Sequence, residues 1–219
     1  MSKFDEITEG FRKVKYMNEA RARVLRALVE EHDARDILEI GFFRGKSSLY
    51  IGAMLEDRGG GRLVTIDRKS AAGLKPNIHD LLHRSGLGHR VTPLFAYRSF
   101  TWELLKLIRS EPRPAFDLCY FDGGHTWDDT GFGFVLVNML LRPGGVIVFD
   151  DIDWSIENSP AYNKDPAQMA PYSEDERTAA TVRLVWDVLV PEFGYERIRE
   201  IDRVGWAVAR KPAIARERA

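Results

Sequence analysis

The sequence predicts an α/β fold whose sheet is doubly wound, mostly parallel and seven-stranded, with helices in front of it and an antiparallel hairpin at its end. Three observations predict it. From Asp36 onward short apolar runs alternate with helical patterns, and strands separated by helices of that length pair in parallel through right-handed crossovers. The runs Ile37-Leu-Glu-Ile and Val146-Ile-Val-Phe are nearly all apolar, as strands covered on both faces must be. Close to the C-terminus two strand-like segments are joined by Asp202-Arg203, which reads as a hairpin.

Each element follows from its own pattern. Phe4, Ile7, Phe11 and Val14 recur at spacings of three and four, the mark of an amphipathic helix. Asn18 is placed to cap a second helix with Val24, Leu25, Leu28 and Val29 on its apolar face. Residues 1–35 therefore read as a helical appendage, and the stripe from Phe4 to Val14 hints at a homodimer. Residues 36–210 read as the main domain. Its parallel strands are expected at 36–40, 62–67, 90–95, 116–122 and 145–150, with helices at 46–56, 74–85, 100–110 and 127–141. Thr126 and Asp129 have capping-box spacing ahead of the last of these helices, and Pro143-Gly144-Gly145 reads as its stop and turn. A long polar and aromatic loop, 151–173, comes next, and loops of that length are commonly functional. Ser173 and Glu176 have the spacing of another capping box. The helix they open carries Val182, Val185, Trp186 and Leu189 and stops at Pro191 and Gly194. The hairpin spans 195–201 and 204–209, and 211–219 reads as a charged tail.

Composition narrows the function. The chain is 44% apolar and 30% charged, which suits a globular domain and opposes wholesale disorder. Thirty-two basic and 33 acidic residues leave a net charge of -1, so no nucleic-acid partner is expected. The lone cysteine, Cys119, excludes an intrachain disulfide and a cysteine metal cage, and its mid-strand position reads as a small buried hydrophobe. The opening residues lack the apolar stretch of a signal peptide. No apolar run approaches the roughly 20 residues that span a bilayer. A cytoplasmic protein without membrane contact is the expectation.

The chemistry gathers where the strands end. The first runs into Leu38-Glu-Ile-Gly-Phe-Phe-Arg-Gly-Lys-Ser-Ser, where Gly41 and Gly45 allow a sharp turn and close approach to a ligand. The head of the next helix, at Ser47, offers free N–H groups. Asp67 closes the second strand, placed to accept from ribose hydroxyls, so the pair points to a nucleoside. A dinucleotide would want G-x-G-x-x-G, and Phe43 stands where its second glycine belongs. A nicotinamide oxidoreductase is thus the lesser alternative. A noncatalytic nucleoside-binding module is another, opposed by the presence of Asp122, His125 and Asp150 together.

Glu39-x-Gly41-x-x-x-Gly45 followed by Asp67 resembles the first motif of the class I S-adenosylmethionine-dependent methyltransferases, a Rossmann-like family. The resemblance runs over residues 37–151 and includes Leu141-Arg-Pro-Gly-Gly-Val-Ile-Val, similar to that family's turn into its fifth strand. It implies that Glu39, Gly41, Gly45, Ser47, Asp67 and Asp122 bind S-adenosylmethionine. Phe95-Ala-Tyr-Arg-Ser departs from the usual Gly-Asp-Ser-like turn after the third strand. Phe121-Asp-Gly-Gly-His-Thr-Trp with Phe149-Asp-Asp is similar to the metal-dependent O-methyltransferases of sugars and other natural products (macrocin O-methyltransferase-like). That resemblance implies Asp122, Asp150 and Asp151 as ligands of Mg²⁺ and His125 with Asp122 as catalytic residues. The acceptor it implies is a hydroxylated small molecule.

The residues agree with this on their own terms. Asp122, Asp150 and Asp151 would repel one another unless neutralised, and a hard cation such as Mg²⁺ is the simplest neutraliser, with Mn²⁺ also acceptable. Asp153 is an alternative to Asp151, whereas Asp128 and Asp129 read as helix N-terminal charges. Trp127, Trp154, Tyr162 and Tyr172 cluster near these loops and could pack an acceptor ring or only stiffen a lid. The loop 151–173 is expected to fold over the acceptor. His32, His79, His83 and His89 read as surface residues.

Overall fold

Seven strands form one sheet: β1 (Asp36–Ile40), β2 (Arg62–Arg68), β3 (Val91–Ala96), β4 (Phe116–Phe121), β5 (Leu141–Phe149), β6 (Glu196–Ile201) and β7 (Trp206–Arg210). Their order is β3-β2-β1-β4-β5-β7-β6. The first five pair in parallel, and β7 runs antiparallel between β5 and β6. The computed structural model describes residues 1–213, and the remainder of the expected tail, 214–219, lies outside the described residues.

Strand alternation divides the core. Ile37, Leu118, Tyr120, Val146 and Val148 face one cluster, shared with α1 (Lys3–Gly10), α2 (Glu19–Glu31), α3 (Lys46–Asp57) and α4 (Ile78–Ser85). Leu38, Ile40, Cys119, Phe121, Ile147 and Phe149 face the other, shared with α5 (Phe100–Arg109) and α6 (Trp127–Asn138). Period-two alternation with both faces apolar is what a helix-covered sheet requires.

Residues 1–35 join the first cluster. Phe4 and Ile7 are fully buried, and the Phe4 ring lies 5.0 Å from that of Tyr50 on α3. Phe11 is buried with them, and Val14 packs partly buried against the same cluster. Asn18 caps α2 as expected, accepting from the Arg21 amide at 2.9 Å.

Several boundaries differ from the pattern. Helix α4 starts at Ile78 rather than 74, because Pro76 disfavours helix in the residue before it and Asn77 then forms a capping box with Asp80. Strand β5 begins at Leu141, opposite Phe116, and the ladder shifts before Val146 meets Leu118. Gly144 carries the break with φ of 78°. Thr126 does not cap α6; its hydroxyl donates to Asp128 Oδ1 at 2.6 Å instead. The expected single helix after Ser173 is divided into α8 (Glu174–Thr178), α9 (Thr181–Leu184) and α10 (Val190–Glu192), preceded by a short α7 (Pro166–Met169). A π turn, Val185–Leu189, joins α9 to α10. Pro191 accounts for it, since proline cannot donate to the carbonyl four residues back and its ring crowds that group. Among the described residues no helix is long and apolar enough to cross a membrane.

Candidate active site

Strand order reverses between β1 and β4, and open α/β sheets bind ligands outside the carboxyl ends of their strands at such a point. A cavity of about 660 Å³ opens there. Its floor is built by the backbone. The Asp122 amide donates to the Ile40 carbonyl at 2.8 Å and the Asp150 amide to that of Phe121 at 2.9 Å, so the ends of β1, β4 and β5 stand in a row. A Cβ at Gly41 would lie 1.9 Å from the Asp122 carbonyl oxygen, so only glycine permits this approach. Gly45, with φ of 96°, turns the chain into α3.

Asp67 organises the loop between them. One carboxylate oxygen accepts from the Phe42 amide at 2.9 Å and also from that of Phe43, while the other accepts from the Arg68 amide at 2.6 Å. The carboxylate still faces the cavity with acceptor capacity to spare. Glu39 differs from the expected cofactor contact. Its side chain is fully buried and absent from the cavity wall, accepting from Thr65 Oγ1 at 2.6 Å and from the Ser48 hydroxyl. Burial pushes its carboxyl up to about 7, against the pull of those hydroxyls. It braces the loop from beneath. Gly41, Ser47, Asp67 and Asp122 line the cavity, and Gly45 supports them from the head of α3.

The acidic edge is divided. Asp122, His125 and Asp151 converge, with ligand atoms within 4.8 Å of one another. His125 Nε2 lies 3.8 Å from Asp122 Oδ1 and 3.5 Å from Asp151 Oδ2. That nitrogen is buried and, among the described residues, has no hydrogen-bond partner. Burial lowers the imidazole's pKa, outweighing the opposing pull of Asp150, and the ring stacks on Trp154 at 5.3 Å between centroids. Burial and then the charges of Asp150 and Asp151 raise the Asp122 carboxyl well above its ordinary range.

Asp150, the third acid expected there, is engaged by protein partners. It is only 3% exposed, with one oxygen held by Arg21 of α2 and by the Asp151 amide at 2.6 Å, the other by the Tyr120 hydroxyl. Asp153, the alternative to Asp151, pairs with Arg183 at 2.6 Å. Asp151, at φ of 50°, bends the chain so that successive carboxylates face different partners. Asp122 and Asp151 are hard oxygen donors that fit a divalent cation, and the imidazole nitrogen beside them keeps its lone pair for a proton.

Other walls escaped the sequence reading. Tyr120 was signalled by alternation alone, since it shares a strand face with Asp122. Arg21 and Lys46 carried no local signal. The buried Lys46 ammonium donates to the Phe11 carbonyl at 2.7 Å and lies 4.9 Å over the Tyr50 ring; burial brings it down to about 8. Tyr16 and Phe43, both at positive φ, meet edge to face at 5.0 Å over the mouth. Trp154 and Tyr162 line the cavity, and Tyr172 continues the aromatic row behind them. Loop 151–173 thus contributes Asp151, Trp154, Ser159, Ala161 and Tyr162 to the wall.

Residues 38–152, more than half of the chain, match a family model described as a methyltransferase domain. An O-methyltransferase from Bacillus cereus, solved in complex with SAH, has a TM-score of 0.67 and 19% identity, over 95% of this chain and 90% of that one. The O-methyltransferase TomG from Streptomyces achromogenes, involved in tomaymycin synthesis and solved in complex with SAM, has a TM-score of 0.63 and 21% identity, over 97% and 90%. At such identities the likeness is one of fold. An uncharacterized protein of Acanthamoeba polyphaga mimivirus is 28% identical over 138 residues, which are 61% of this chain. The chain spans 60% of the length of that curated relative.

Proposed function

The chain belongs to the methyltransferase-domain family, and from that premise we propose that it methylates a hydroxyl of a small molecule, using S-adenosylmethionine and a divalent cation, Mg²⁺ or Mn²⁺. One observation carries the reading: the glycine loop with Asp67 and the Asp122–His125–Asp151 group line the same cavity. When bound, the sulfonium nucleoside supplies an electrophilic methyl and the cation lowers the pKa of the acceptor hydroxyl.

The chain's own residues do the rest. Asp67, itself held by the amides of Phe42 and Phe43, positions the ribose end of the nucleoside, and Ser47 at the head of α3 meets its carboxylate. Asp122 and Asp151 would hold the cation. His125, kept neutral by burial, takes the hydroxyl proton at Nε2. Trp154 and Tyr162 face the acceptor and exclude water. Fixing two reactants for in-line transfer lowers a barrier by roughly 7–11 kcal/mol. An acceptor of the sugar or natural-product class suits this aromatic and polar wall.

Titration calorimetry with S-adenosylhomocysteine and with NAD tests the nucleoside. The expected result is binding of the first and none of the second; the reverse would return the chain to the oxidoreductases. A hydroxylated-acceptor screen reading S-adenosylhomocysteine release, with and without EDTA, tests the chemistry. Undiminished turnover in EDTA removes the cation from the mechanism.

A further inference from the structure

We propose that Arg21 withholds Asp150 from the cation, so that Asp122 and Asp151 are the protein's carboxylate ligands and helix α2 is a working part of the site. The inference rests on the cation reading above and assigns its ligands. Asp150 has little left to offer a metal. Its two oxygens already receive the Arg21 guanidinium, the Tyr120 hydroxyl and the Asp151 amide, which is three of about four lone-pair positions. A guanidinium does not deprotonate in proteins, so Arg21 keeps its charge and its donors on Asp150.

Arg21 is itself held in place. Its guanidinium lies 5.3 Å over the ring of Trp206, which is fully buried beside Tyr120. The next carboxylate is in the opposite condition. Asp151, turned by its positive φ, has a side chain 48% exposed, with His125 Nε2 at 3.5 Å. The charges also close: three carboxylates are balanced by one guanidinium and one divalent ion. Arg21 therefore complements the cation and does not stand in for it.

The test is Mn²⁺ titration of the purified full chain, free ion being read by electron paramagnetic resonance, with a thermal melt of each variant to establish folding. Asp122→Asn and Asp151→Asn should each weaken Mn²⁺ about 10–100-fold, whereas the charge-neutral double variant Arg21→Met with Asp150→Asn should stay within about threefold of the parent. Arg21→Met alone frees a third carboxylate and should tighten Mn²⁺ by roughly 10-fold, while Arg21→Lys, which keeps the pairing charge, should stay near the parent. A double variant as weak as Asp122→Asn, or an Arg21→Met variant no tighter than the parent, overturns the inference. Should Arg21→Met be unfolded, the double variant decides alone. If the parent binds no Mn²⁺, the cation reading falls and this inference with it; a parent that binds beside a failed double variant defeats the inference only.

Discussion

The carboxyl ends of β1 and β5 do different kinds of work. At β1 the site is backbone: Gly41 is pressed against the Asp122 carbonyl, amides point at Asp67, and Glu39, the acidic side chain nearest that end of the strand, is sealed beneath. At β5 the site is side chain, and two neighbouring acids take opposite fates through partners from α2, β4 and the segment after β4. Backbone sites are written in spacing. Side-chain sites depend on what the fold delivers from far away.

The comparison breaks first at Gly41. Gly41→Ala places a Cβ against backbone at a positive φ, and the expected loss is at least about 4 kcal/mol of stability, with S-adenosylhomocysteine binding abolished. Gly59→Ala is the control, since φ there is also positive but nothing lies within 4 Å of its Cβ. Equal melting losses in the two would show that the close approach to Asp122 is immaterial.

At the side-chain end, His125→Asn should lower turnover about 10²–10⁴-fold, the ordinary worth of a positioned general base. Its affinity for S-adenosylhomocysteine should stay as it was. A variant that loses nucleoside binding and turnover together would make His125 a structural post.

Glu39 sharpens the contrast through pH. Its carboxyl rises from an ordinary 4.5 to about 7 on folding, so the folded chain holds a proton that the unfolded chain releases. The favourable contribution is complete below pH 4.5 and is lost as pH climbs through 7. Over that window the wild type should lose about 3 kcal/mol, and Glu39→Gln should flatten the dependence and be the more stable at pH 8. Denaturant melts at pH 5 and pH 8 decide it; parallel changes in both proteins would show that another group carries the effect. The smallest effect is at Thr181, whose hydroxyl donates to the His125 carbonyl. Thr181→Val should cost about 1–2 kcal/mol and loosen the loop beneath the imidazole, visible as faster amide exchange around residue 125. Unchanged exchange there would separate the two segments.

The sheet was legible because its signals are local. Apolar runs placed the parallel strands and Asp202-Arg203 marked the hairpin, to within a few residues at each end. Pro191 marked a helix end, but nothing in the local sequence said that its missing donor would be absorbed as a π turn over Val185–Leu189. Gly41 and Asp67 could be picked out by position at strand ends, Asp122, His125 and Asp151 by the family resemblance, and all five meet at one cavity. Asp150 looked equivalent to Asp151 until Arg21, 129 residues earlier in the chain, was seen to claim it. No spacing rule connects those two. The same holds for Lys46 and the Phe11 carbonyl, a contact made only when α1 lies on α3.

The stretch that matches the family starts at residue 38, yet α2, with Arg21 reaching Asp150, ends before it. A clone trimmed to the matching stretch would discard Phe4, Ile7, Leu25 and Leu28 from the core and the one guanidinium that steadies the acidic edge. The stretch that carries the family match and the stretch that folds around the cavity are therefore different lengths of chain.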